Sequence, residues 1–338
     1  LKPAVALLGD ILTDVILQIP GYPPPGGDGI ADQMHLRCGG SVTNTAILLA
    51  RLGLDARLLG KFGRDSWAGH LTEILHREGV DLSKVQIDDE TGTGLTVAVV
   101  TPNGERTMFT YRGANTTLSP QNIVPGSLSG AGGLHLSGYA LLSPPQSEAA
   151  LAAAGLAAQM KIPVSLDLGV EPALRLGPRL IEQLPGLDLL ILGIPELQQV
   201  SPAERLETGI EHLLLAGIGR VALKLGENGC RIFTHTEQVS LPGFPVTPVD
   251  TTGAGDAFSA GLLFGSLNGL SLSAASLLAN SLGALTTTCM GAGEAMPTLP
   301  DAIDFIRELT DLTPQQNNWR DEVLNTLLRQ TDIEEKKS

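Results

Sequence analysis

With 338 residues, the chain has room for one large α/β domain with an appendage, or for two domains of ordinary size. Its 36 acidic residues outnumber 22 basic ones, and the net charge of -14 disfavours nonspecific attraction to nucleic acid or to an anionic membrane surface. Three widely spaced cysteines, Cys38, Cys230 and Cys289, indicate neither a disulfide framework nor a CxxC metal site; they fit a reducing cytoplasm, and no apolar run is long enough to suggest a membrane span.

In chain order, residues 4–9 read as a buried strand ending in glycine. Residues 42–52 read as a helix stopped at Gly53, the stretch ARLLGKFG as a returning strand, and SWAGHLTEILHREG as a helix closed by Gly79. After a break the alternation resumes: GLHLSG, IPVSLDL, LDLLILG and RVALKLG as strands, with EAALAAAGLAAQM, RLIEQL and ERLETGIEHLLLAG as the helices between them. This rhythm predicts an α/β fold with a largely parallel sheet covered by helices on both faces, and places ligands beyond the carboxyl ends of the strands.

Two segments break the rhythm. Residues 11–37 are interrupted by YPPPGGDG, and residues 94–111 form two strand-like runs around Asn103-Gly104, a favoured hairpin turn. Together, residues 11–37 and 92–113 predict a small sheet projecting from the core, either a lid that excludes water or an edge extension that meets a second copy of the chain. Residues 1–310 form the main unit in this reading; residues 311–338 add a helix around WRDEVLNTLLRQ and a charged, frayed tail.

The chemistry concentrates at DTTGAGDAFSAGLLFG, residues 250–265. Gly253, Ala254 and Gly255 offer a turn without bulky side chains just before an apolar helix, which aims backbone N–H groups and the helix dipole at one point, an anion hole. Asp256 follows in the first helical turn, where a carboxylate can accept the proton of an attacking hydroxyl. No GxGxxG opens the first helix and no GxxxxGK[ST] occurs, which speaks against a dinucleotide-dependent dehydrogenase and a P-loop enzyme.

The string DTTGAGDAFSAG resembles the C-terminal signature of the ribokinase-like (PfkB) carbohydrate kinases, and CGGSVTNTA at 38–46 resembles their N-terminal GG-x-x-x-N signature. The resemblance covers roughly residues 4–310 and implies a three-layer α/β/α core, a β lid, ATP, Mg²⁺ and a sugar-like substrate. It implies Asp256 as catalytic base, with the amides of Gly253, Ala254 and Gly255 as anion hole. Asp14, Gly39, Gly40 and Asn44 match the positions that meet substrate hydroxyls, and Arg112 in YRGAN resembles an arginine that some members direct at the substrate; an exposed lid arginine is the other reading. Asp10 reads as a strand-end turn residue.

For the nucleotide, the resemblance points to Lys224 and Gly226 in KLGENG, a stretch that reads equally as a hairpin turn, and to Asn280, whose other reading is a solvent-facing helix residue. Glu196 matches a glutamate that acts on Mg²⁺ through water, and Asp250, Thr252 and Gly291 match a loop pair that holds a potassium-type cation. Two departures stand out: Gly193 and Gly169 replace asparagines common in the family. They keep two other readings open, a nucleoside kinase and a noncatalytic sugar or nucleotide sensor on the same fold. The sequence leaves the oligomeric state open, with exposed lid strands offering a homodimer contact across a two-fold axis, and no nucleic-acid or membrane partner is expected.

Overall fold

The computed structural model describes residues 4–102, 105–184 and 186–335. In chain order the elements are β1 (Ala4–Leu8), β2 (Leu12–Gln18), β3 (Gln33–Gly39), α1 (Ser41–Arg51), β4 (Asp55–Leu59), β5 (Lys61–Gly63), α2 (Ser66–Arg77), β6 (Gln86–Asp88), β7 (Gly94–Val100) and β8 (Arg106–Tyr111). There follow β9 (Ala131–Ser137), α3 (Gln146–Met160), β10 (Val164–Asp167), α4 (Val170–Leu176), α5 (Arg179–Gln183), β11 (Leu189–Gly193), α6 (Ile194–Val200), α7 (Leu206–Leu215) and β12 (Arg220–Lys224). The chain closes with β13 (Cys230–Thr234), β14 (Gln238–Leu241), α8 (Ala254–Leu267), α9 (Leu272–Thr286), α10 (Leu299–Arg307) and α11 (Pro314–Glu335).

The main sheet has the order β14-β13-β12-β11-β10-β9-β1-β4, parallel from β12 to β4 with β13 and β14 antiparallel at one edge. Side chains alternate across it, so Val5 and Leu7 of β1 join a core with α1, α2 and α8–α11, while Ala6 and Leu8 join a second core with α3–α7. The near-continuous apolar strands reflect this two-sided burial. The strand order reverses at β1, with β4 on one side and β9 on the other, the topological position at which such sheets leave a crevice beyond their carboxyl ends.

The lid is a separate sheet of order β3-β2-β7-β8, and the hairpin predicted over 94–111 forms, though Asn103 and Gly104 at its turn lie outside the described residues. The single strand expected over ARLLGKFG is instead two. β4 stays in the main sheet, whereas Lys61–Gly63 pair with Gln86–Asp88 in a two-stranded sheet that satisfies their backbone groups elsewhere. At the other end, α11 buries Val323 and Leu327 against the α9 side of the core and runs to Glu335, farther than the frayed tail expected; residues 336–338 lie outside the described residues. Among the described residues no helix is long and apolar enough to cross a membrane.

Candidate active site

Gly253 adopts φ 79, in the left-handed region that favours glycine, and caps the start of α8. Ala254 and Gly255 open the helix, and Asp256 sits in its first turn. Asn44 of α1 donates from Nδ2 to Asp256 Oδ2 at 2.7 Å, and its Oδ1 accepts the Gly293 amide at 3.0 Å. Both ends of the Asn44 amide are therefore bonded within the protein, beyond the sugar contacts that sequence alone suggested. Burial pushes the Asp256 carboxyl up to about 6, against the lowering effect of Asn44, Ser41 and Lys224.

Asp14 lies on β2 in register with Thr96 and Arg37, on the lid face turned toward the crevice. Burial raises its carboxyl to about 6 as well, with Arg106 pulling it down and Asp256 and Glu294 pushing it up. Gly39 is required by this carboxylate: a Cβ there would lie 2.1 Å from Asp14 Oδ1. A Cβ on Gly40, which caps α1 at φ 97, would meet the Asp10 carbonyl oxygen at 2.1 Å. The glycine pair thus lets two strand ends, the Asp14 carboxylate and the α1 N-terminus close on one point.

Arg112 is neither exposed nor free. Its Nε and Nη2 grip both oxygens of the buried Asp10 at 2.6 and 3.0 Å, and it also donates to the Tyr139 carbonyl and to Gln146 Oε1. Gln146 Nε2 completes the knot on Asp10 Oδ1 at 2.7 Å. Asp10, at the strand end where expected, is more than a turn residue: it pins the lid's exit to β1 and α3.

The segment KLGENG is a hairpin turn between β12 and β13, and it also borders the crevice. Lys224 Nζ bonds Asp167 Oδ1 at 2.7 Å, and a Cβ on Gly255 would lie 3.3 Å from that nitrogen. Burial disfavours its charge, but the Asp167 carboxylate outweighs burial and holds the pKa above the usual lysine value. Asn280 is buried rather than solvent-facing and donates to the Pro242 carbonyl at 3.0 Å, in the segment that packs on the 226–229 turn. Lys224, Gly226 and Asn280 therefore share one end of the crevice.

Glu196 caps its own helix, with Oε2 accepting the Gly193 amide at 2.9 Å. Asp250, Thr252 and Gly291 do converge: Asp250 accepts from the Thr252 amide and hydroxyl and, on its other oxygen, from the Gly291 amide at 2.9 Å. These bonds, after the opposing effect of burial, hold the Asp250 carboxyl below the usual carboxylate range. Among the described residues no cluster of three or more His, Cys, Asp or Glu could hold a metal alone.

Sequence reasoning missed Asp167, Glu294 and Arg106. Asp167 had a visible signal, a charge at the end of an apolar strand; Arg106, whose Nη1 reaches to 3.6 Å from Asp250 across the crevice, had none.

This is the architecture of a lidded small-molecule kinase. A model of the pfkB family of carbohydrate kinases matches residues 2–299, and the chain belongs to that family. It is 32% identical over 305 residues to an ATP-dependent ribose-1-phosphate kinase of Halopiger xanaduensis, covering 90% of this chain and 98% of that one. A fructokinase of Klebsiella pneumoniae is 31% identical over 319 residues, with 87% and 96% covered. An E. coli protein solved in complex with ATP and Mg²⁺ shares the fold, with a TM-score of 0.81, 24% identity, and 91% and 100% of the two chains covered.

Proposed function

We propose that this carbohydrate kinase transfers the γ-phosphoryl group of ATP to a hydroxyl of a sugar or sugar phosphate, with Asp256 as base. The observation that carries the reading is the Asn44–Asp256 bond, which fixes a part-buried carboxylate in the first turn of α8 beside the Gly253–Gly255 amides. Asp14 takes hydrogen bonds from substrate hydroxyls at the lid root, with Asn44 and the backbone of Gly39 and Gly40 beside it. Asp256 orients the acceptor hydroxyl and takes its proton as the oxygen bonds to the γ-phosphorus and the bond to the β-phosphate oxygen breaks, releasing ADP. The amides of Gly253, Ala254 and Gly255 receive the charge on the transferred group.

Lys224 and Gly226 face the phosphates and ribose, and Asn280 borders the base. Mg²⁺ in this reading is carried by phosphates and waters, with Glu196 acting through water; when bound, the ion would neutralise charge on the β- and γ-phosphates. Asp250, Thr252 and the Gly291 loop supply hard oxygens of the kind a potassium ion takes. Support for ATP and a sugar acceptor comes from the two relatives, named for phosphorylating fructose and ribose 1-phosphate, and from the E. coli structure. The chain works as a homodimer through the lid: Leu17, Met34, Val97 and Phe109 share the lid face opposite Asp14, where Met34 and Phe109 are 60% and 63% exposed.

The test is ADP production with Mg²⁺ and K⁺ against ribose, fructose, ribose 1-phosphate, sugar acids and nucleosides, with Asp256→Asn in parallel. Turnover of one acceptor, lost in the variant, supports the reading. ATP binding without acceptor-dependent ADP overturns it in favour of a sensor.

A further inference from the structure

Asp167 is placed to do more than hold the sheet together. It ends β10, is 7% exposed, and divides its oxygens between Lys224 Nζ at 2.7 Å and Ser259 Oγ of α8 at 2.8 Å. Lys224 ends β12, and β11 lies between the two strands. The lysine therefore spans two strand spacings, roughly 10 Å, to meet its partner. Register places Gly193 of β11 directly beside Lys224 and Ile191 beside Asp167, all on the face that carries α8.

Lys224 reaches past the end of β11 at Gly193, where a Cβ would meet Glu196 Oε2 at 2.5 Å. Its ammonium comes to rest where a Gly255 Cβ would be 3.3 Å away, against the anion hole. Beneath the pair runs a polar row, His135 Nδ1 to Ser165 Oγ at 2.9 Å, on the same strand face. His135 is fully buried, and burial pushes its pKa down to about 4, so that row brings no competing positive charge.

We propose that Asp167 is a positioning residue for phosphoryl transfer: anchored by Ser259, it holds the Lys224 ammonium across Gly193 and against the anion hole, where that fixed charge meets the transferred phosphoryl group. The arrangement rests on the kinase reading above, from which it takes the phosphate but not the roles of Asp167 and Ser259.

The experiment is a cycle of Asp167→Asn, Lys224→Met and the double variant, measured for kcat, the KM of the sugar, and ADP affinity by calorimetry without sugar. Lys224→Met is expected to lower kcat by about 10²-fold or more. Misplacing the ammonium in Asp167→Asn is expected to cost about 10²-fold, with the sugar KM within about threefold of wild type. The double variant should be no worse than Lys224→Met, and both single variants should bind ADP more weakly.

Should Asp167→Asn not fold, Ser259→Ala frees the carboxylate while keeping its charge; its loss of kcat should vanish in the Lys224→Met background. Losses that multiply in either double variant, or Asp167→Asn with kcat and ADP affinity within about threefold of wild type, overturn the proposal. A wild-type protein that binds ADP but never turns over fails the kinase reading instead, and the ADP cycle still decides whether Asp167 acts through Lys224.

Discussion

Asn44 Nδ2 lies 2.7 Å from Asp256 Oδ2, so the amide of one signature helix hydrogen-bonds the carboxylate of the other. That bond favours the ionised form of a group that burial pushes toward neutrality. Replacing Asn44 with Ala removes the donor and raises the Asp256 pKa further. A charge-assisted bond of about 1.5–3 kcal/mol corresponds to a shift of roughly one to two pH units. The acid limb of kcat/KM against pH should move upward by that amount; an unmoved limb would show that Asn44 does not act on the base.

Asp14 and Asp256 are both held near 6 by burial, and the proposed mechanism needs both ionised, one to accept substrate hydroxyls and the other to take a proton. Activity should therefore be full above about pH 7 and fall as pH drops through 6. With two groups protonating together the limb steepens from tenfold toward about a hundredfold per unit. Asp14→Asn should return it to a single-group slope at whatever activity remains.

The same raised pKa carries a cost in stability. Between about pH 4 and 6 the native state holds protons on Asp256 that the unfolded chain has released, so unfolding becomes easier as pH rises through that window. The penalty is complete above 6 and absent below 4. Asp256→Asn, although inactive, should melt a few degrees above wild type at pH 7.5 and show little or no gain at pH 4. Equal melting temperatures at pH 7.5 would contradict this.

Gly39→Ala would place a methyl carbon 2.1 Å from Asp14 Oδ1. The carboxylate must move away from the crevice, while Asp256 and the α8 amides stay in place. The sugar KM should rise at least tenfold with kcat reduced much less, read from initial rates at saturating ATP.

Arg112→Ala would strand Asp10, 5% exposed, without its cation. Breaking such a buried pair costs about 3–5 kcal/mol, visible as a lower midpoint in urea. Arg112→Lys should recover little, because an ammonium cannot grip both Asp10 oxygens as well as Gln146 and the Tyr139 carbonyl.

The alternation of apolar strands with helices made the layered core legible, because each strand is buried on both faces and reads as an unbroken apolar run. The two glycine signatures were legible for a different reason: close approach and a positive φ leave few residue choices at Gly39, Gly40 and Gly253. What stayed hidden were pairings across strands. Nothing at position 10 announces Arg112 or Gln146, 102 and 136 residues away, and Asp167 could not be matched to Lys224 before the register of β10, β11 and β12 was known. The split of ARLLGKFG escaped because a two-stranded pairing with residues 86–88 leaves no trace in local periodicity.

The first helix after the lid depends on the far end of the chain. Asn44 meets Asp256 at a separation of 212 residues, and Arg51 at the other end of α1 donates to the carbonyls of Glu294 and Met296. During synthesis, Arg51 Nε can pair early with Glu78, but Asn44 and the Nη groups of Arg51 wait until about residue 296 has emerged. On the proposed reading, no shorter nascent chain is stabilised by sugar, because Asn44 beside Asp14 then lacks its Asp256 and Gly293 partners. Ligand rescue of folding is then expected to act only on the finished domain.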